Sequence, residues 1–242
     1  MRGLGVERAV HHTENRFFTI LADAVTLYEL SAQAERDYIQ TTLAKSCVLS
    51  VNYALEAAAN SFLESLDLSD SLKSKIDKLP TIEKFDFVLQ WHTDSKLPRG
   101  DKEVQAIKEL VDLRNSMVHS KVSQDKGYVE TQAGNGAFAY EHKAIETSPP
   151  RKAQTSKISL DPEQYSSEDA LIALKVLVAF LNRYVTQWWG ISLDISAILL
   201  LPSWDGSISA SPIKYEKNSL ETILRHDGTL GIRFIKLHGI IP

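Results

Sequence analysis

The chain has 242 residues, of which 43% are hydrophobic and 24% charged, enough to bury the core of one sizeable globular domain, with or without an appendage. A formal charge of −4 excludes a global attraction to nucleic acid or to an anionic membrane, so any phosphate-binding surface has to be local. The single cysteine, Cys47, excludes a disulfide framework and a thiolate zinc site, and its apolar neighbours mark it as a small buried hydrophobe.

The opening residues, "MRGLGVERAVHHTEN", lack the apolar core of a signal peptide, and His11-His12 reads as a solvated pair. In "NRFFTILADAVTLYEL" (15–30), Phe17, Ile20, Leu21, Ala24, Leu27 and Tyr28 repeat at helical spacing. A longer helix is expected from about Ser31 to Leu66, where Leu43, Cys47, Val51, Leu55, Ala58, Phe62 and Leu66 recur every three or four residues. "SLDLSDSLKSKIDKLP" reads as a turn and a short amphipathic helix stopped by Pro80. Thr81 is the expected N-cap of the next helix, with Lys84 at its third position, and Phe85, Val88, Leu89 and His92 continue it. His92 is placed to face the negative helix end. After the loop "TDSKLPRGD", Asp101 is expected to cap a helix that runs to about Lys121.

The texture then changes. Gly-Asn-Gly (134–136) between two short alternating runs predicts a β-hairpin inserted at about 124–160, and Pro149-Pro150 with the basic residues that follow reads as a mobile loop. A final long helix starts at Ser166 or Ser167, with Glu168 and Asp169 favourable in its first turn. Its wide apolar face runs from Ala170 through Leu174, Leu177 and Leu181 to Trp188, and Trp188-Trp189 divides between core and interface. "ISLDISAILLLP" is interrupted by Asp194 and too short to span a bilayer. Beyond it, "GSISASPIKYE" and "TLGIRFIKLHG" read as short strands. His142, His226 and His238 fall in strand or loop context with no acidic partner at ligand spacing. No phosphate-cradling glycine loop, nucleophile elbow or zinc-protease helix is present in the sequence.

One stretch, "LVDLRNSMVHS" (110–120), carries the chemistry. On a helix turning about 100° per residue, Ile107, Leu110, Val111, Leu113, Met117 and Val118 share one arc, and Arg114 falls inside it. A guanidinium cannot shed its charge, so burying it requires compensation. The choices are an acid within the fold, an apolar edge along which the stem packs, a second subunit, or a cleft that takes an anion. Glu56 is the obvious internal acid, because Asn52, Glu56 and Asn60 are spaced four apart and make one polar strip. That strip either satisfies Arg114 or lines a site. Asn115 lies at the edge of the apolar arc, with His119 one turn beyond it.

"LRNSMVH" resembles the Arg-polar-spacer-His signature of HEPN domains, helical bundles widespread in prokaryotic defence and toxin–antitoxin systems. The order of "SCVLSVNYALEAAANSFLESL", "TIEKFDFVLQ", "AIKELVDLRNSMVHSKV" and "SSEDALIALKVLVAFLNRYV" is similar to that family over roughly residues 31–190. The chain thus reads as mainly α: a HEPN-like helical domain over 15–190 with the inserted hairpin, and, outside the resemblance, a β-rich C-terminal extension over 191–242 that could cover a cleft. The resemblance implies a homodimer that cleaves RNA with neither metal nor other cofactor, using the ribose 2'-hydroxyl as nucleophile; the lone cysteine and the lack of a signal-peptide core point to a cytoplasmic setting. Arg114 would hold the scissile phosphate, Asn115 would orient the histidine or touch the phosphate, and His119 would act as general acid or base. Asn52, Glu56, Asn60 and Lys121 are the expected substrate contacts. An antitoxin or regulatory protein is a further expected partner.

Arg114 and His119 point about 140° apart on a straight helix, so two copies packed across the apolar arc would bring both kinds of group to one cleft. Residues 96–126 hold seven Lys/Arg against five Asp/Glu, and Lys143, Arg151, Lys152 and Lys157 add a second modest basic group; either patch also suits plain solvated surface. The alternatives left open are a non-catalytic HEPN protein that binds a nucleotide or protein partner, and a structural protein with an Arg114–Glu56 pair.

Overall fold

Residues 9–119, 122, 128–133, 140–145, 151–204 and 213–237 are described by a computed structural model. Helix α1 (Phe17–Gln33) and helix α2 (Asp37–Leu63) form an antiparallel hairpin. Asn15 at the start of α1 donates to Ser61 Oγ, and Ser31 near its end donates to Gln40 O. The single helix expected over 31–66 is therefore broken at 34–36. No proline or glycine marks the break: Ala34 leaves the helix with extended backbone, and the long-range pairing of α1 with α2 decides where the chain reverses.

A short helix α3 (Asp70–Ile76) leads to α4 (Thr81–Thr93). The N-cap position of α4 belongs to Pro80 rather than Thr81, which puts Lys84 one place deeper than expected and on the buried face. Helix α5 (Lys102–Val118) follows, with Asp101 at its N-cap position. The Asp101 carboxylate accepts from Arg183 (3.0 Å) and not from the helix amides. Helix α6 (Ser167–Arg183) begins as expected at Ser166, whose N–H and hydroxyl both donate to Asp169 Oδ2 (2.9 Å each). The other Asp169 oxygen accepts from Ser159 N, which ties the insertion to the helix start.

α2 lies at the centre, packed by α1, α4, α5 and α6. Small residues make this possible: Ala44, Cys47, Ala54, Ala58 and Ala59 are fully buried and let neighbouring helices approach closely. At one end of the bundle Phe62, Phe85, Phe180 and Tyr184 pack ring to ring, with centroids 4.9–5.9 Å apart. The buried Tyr184 hydroxyl donates to Phe85 O (2.9 Å). α6 closes in a π-helical turn, Tyr184–Trp189, and Gly190 ends it at φ 71°, a left-handed conformation that a side chain would strain. Trp188 and Trp189 are half-buried against the aromatic cluster.

The inserted hairpin is present as expected: antiparallel strands Tyr128–Ala133 and Tyr140–Ile145, in register Tyr128↔Ile145 to Ala133↔Tyr140. The expected Gly134–Gly136 turn and Pro149-Pro150 lie outside the described residues. The residues after them are ordered, in contrast to the expected mobile loop. Lys152 and Ser159 form an antiparallel bridge, and the Glu109 carboxylate of α5 accepts from Thr155 N and Ser156 N (2.7–3.1 Å).

The C-terminal extension is built differently from the β-rich reading. It holds helix α7 (Leu193–Leu200) and helix α8 (Lys217–Leu230), while its β content among the described residues is a two-residue strand Ser203–Trp204 paired with His12–Thr13 and an isolated bridge Ser203↔Ile213. Alternation in "TLGIRFIKLHG" misleads because Leu230, Ile232, Phe234, Ile235 and Leu237 are buried against helices, Phe234 meeting Phe17 edge to face. α8 packs on α1, where Glu29 receives both Arg225 and His226 (2.8 Å to the imidazole), so His226 does have an acidic partner. The molecule is thus mainly α-helical with minor β elements, and among the described residues no helix is long and apolar enough to cross a membrane.

Candidate functional site

Burial falls off over the last turns of α5. Ile107, Leu110 and Leu113 are buried, but farther along the helix Arg114 and Met117 are half-buried and Val118 is 48% exposed. Arg114 therefore lies at the edge of the core and not inside it, and its burial is less demanding than the helical wheel implied. Its Nη1 donates to Asn115 Oδ1 (3.0 Å). Among the described residues no ion pair joins it to Glu56, so that candidate for neutralising it from within the fold is not its partner.

His119 occupies the C-cap position, where its N–H donates to Asn115 O (2.9 Å) and its ring is exposed. Asn115 thus accepts from the Arg114 guanidinium through its side chain and from the His119 backbone, not its ring, through its carbonyl. Asn115, Ser116, Met117 and His119 form one wall of an open groove of about 800 Å³. Lys45 and Leu49 of α2 with Leu160, Pro162 and Glu163 form the rest. Arg114 is outside this lining and is connected to it through the Asn115 amide.

The other candidate contacts are spread apart. Asn52 is buried and donates to Val48 O (2.9 Å) and Leu110 O (3.3 Å), fastening α2 to α5. Asn60 accepts from Lys84 Nζ (2.7 Å) and lines a separate cavity of about 300 Å³ beside Glu64, Lys73 and Asp77. Glu56 is half-buried and is not part of the groove wall. Lys121 lies outside the described residues.

Two groove residues, Lys45 and Glu163, were not singled out from the sequence. Lys45 Nζ donates to both Glu163 carboxylate oxygens (3.0 and 3.1 Å). The two lie 118 positions apart, and nothing local marks either one; only the return of the chain after the insertion, held by Glu109 and Asp169, brings them together. Comparisons with protein-family models, with curated proteins and with solved structures find no match to this chain.

His92, Cys47, His142 and His12, none of them expected to form a site, have structural surroundings. His92 shares a hydrogen bond with Ser65 Oγ (3.0 Å) and stacks on Trp189 (5.0 Å), and burial lowers its pKa below the usual 6.5. The Cys47 thiol, fully buried, is pushed up to about 12 by desolvation. His142 pairs with Thr131 across the hairpin, and His12 packs on Trp204. The groove itself offers an imidazole for proton transfer, an amide that holds a guanidinium beside it, and a lysine already engaged with a carboxylate.

Proposed function

We propose that the protein is a metal-independent RNA endonuclease of the HEPN type, acting in the cytoplasm as a homodimer in a defence or toxin–antitoxin setting. The observation that carries this reading is the Asn115 link: its side chain holds Arg114 while its residue shares an open groove wall with His119. In the proposed reaction the ribose O2' attacks the adjacent phosphorus and the bond to O5' breaks. A base takes the O2' proton and an acid protonates the leaving O5'. His119 is one of these two groups, and Arg114 stabilises charge gathering on the non-bridging oxygens. The products are a 2',3'-cyclic phosphate and a 5'-hydroxyl end.

Because Arg114 does not line the groove that His119 lines, a second copy is proposed to complete the site, with the guanidinium of each protomer serving across the two-fold axis. The rival reading is a non-catalytic HEPN protein whose groove binds a nucleotide or protein partner. In its favour, the groove's lysine is already offset by Glu163.

Unstructured RNA incubated with the pure protein in EDTA separates the two. The nuclease reading expects cleavage by the wild type and a loss of about 10²–10⁴ in rate for both Arg114→Ala and His119→Ala, with unchanged thermal melts. Wild-type protein inert on varied RNAs, or His119→Ala as active as wild type, overturns it.

A further inference from the structure

We infer that Lys45 is a phosphate-binding residue of the groove and that Glu163 holds its place in the unliganded protein, the ligand being the backbone of single-stranded RNA. The inference rests on reading the groove as an RNA site, and it adds a second phosphate position contributed by a different helix.

The argument begins with exposure. The Lys45 side chain, which lines the groove together with Leu49, is only 27% exposed, whereas the Glu163 side chain that it contacts is 78% exposed. The ammonium is therefore held in place while the carboxylate is free to swing away. Glu163 sits on a single 3-10 turn, Pro162–Gln164, fixed by Asp161, whose carboxylate accepts from Glu163 N (3.0 Å), so its backbone stays when its side chain leaves. Both carboxylate oxygens engage Nζ, and a phosphate presents the same pair of anionic oxygens. Exchange of one for the other keeps the lysine paired throughout. It costs little, because a solvent-facing ion pair contributes little net stability.

The position suits a strand running through the groove. Asn115 and His119 stand on the α5 wall and Lys45 on the α2 wall, with Leu49, Met117, Leu160 and Pro162 giving apolar surface between the charged points. A chain with an overall charge of −4 that binds RNA needs such local cations, and one that Glu163 masks until a polyanion arrives also resists small anions.

The test uses a fluorescent single-stranded RNA with 2'-O-methyl riboses, which lacks the proposed nucleophile and so reads binding alone. Anisotropy titrations between 50 and 200 mM salt are run on wild type, Lys45→Ala, Glu163→Gln and the double variant, each checked by thermal melting. Glu163→Gln is expected to tighten binding about threefold to fivefold. Lys45→Ala is expected to weaken it about fivefold and to flatten the log–log salt slope by about 0.7, one single-strand phosphate contact. In the Lys45→Ala background, Glu163→Gln should change nothing.

Equal tightening by Glu163→Gln with and without Lys45, binding indifferent to Lys45→Ala, or no binding at all overturns the inference. The nuclease reading fails separately. If the binding cycle appears but unmodified RNA stays intact in EDTA, the phosphate site stands and the catalytic proposal falls. If His119-dependent cleavage appears without any effect of Lys45, the reverse holds.

Discussion

Asn60 decides between a substrate contact and a structural role, and the two make opposite predictions. The Lys84 side chain is 2% exposed, and its ammonium donates to Asn60 Oδ1 at 2.7 Å and to Asp77 Oδ1 at 3.2 Å. Asn60 and Asp77 are both exposed, and their two oxygens together hold an ammonium whose side chain is removed from water. Asn60→Leu leaves the ammonium short of one acceptor and should cost about 1–3 kcal/mol. Lys84→Met keeps most of the stem's packing and removes the desolvated charge, and so should fall within about 1 kcal/mol of wild type, or stabilise. With Lys84→Met in place, the penalty of Asn60→Leu should largely vanish. Urea denaturation followed by circular dichroism reads all three, and for a chain of this size each 1 kcal/mol corresponds to about 2–4 °C in Tm. Asn60→Leu that melts with wild type while RNA binding is lost would refute this reasoning and restore Asn60 as a substrate contact.

Other expectations follow from the surroundings of single groups. Burial works to raise the Glu109 pKa, but the Ser156 and Thr155 N–H groups it accepts from outweigh this and hold it below its ordinary 4.5. Its contribution should be present above that ordinary value and disappear as pH falls through the lower folded-state value; urea midpoints of wild type and Glu109→Gln should differ at pH 7 and converge in acid, and a constant difference would contradict the assignment. His92 has the opposite charge change with the same direction: its folded pKa is lowered by burial, so the neutral ring is favoured and the stability it gives is lost as pH drops below about 6.5. An NMR titration of its ring protons that gives a midpoint above 6.5 would count against that burial. Cys47 should ignore a thiol reagent at pH 8 in the native protein and react fully in denaturant; fast native labelling would show the core open at α2.

The helices that bury a continuous stripe were readable from the sequence because their pattern is repeated many times over. α6 is the clearest, with Ser166 and Asp169 marking its start and its apolar face filling the core. The break at Ala34–Arg36 was not readable, since no residue there forbids a helix and the reversal is set by α1 packing on α2. The C-terminal extension misled for a related reason: the buried residues 230–237 alternate like a strand, yet they cover α1 without pairing to any strand among the described residues. At the candidate site, local spacing placed Asn115 and His119 on one side of α5, and the structure sets both in the groove wall. Helical phase alone could not tell that burial falls off along α5 from Arg114 onward, because the wheel carries no record of how far neighbouring elements cover the helix. Lys45 and Glu163 meet across a separation of 118 positions, so no short window of sequence contains them.

The most direct test of the central claim is the chemistry of the RNA ends. After incubation with wild-type protein in EDTA, mass spectrometry of the fragments should find 2',3'-cyclic phosphates and 5'-hydroxyls, and His119→Ala should yield neither. Fragments that carry 5'-phosphates, or identical fragments from the His119→Ala protein, would contradict the account.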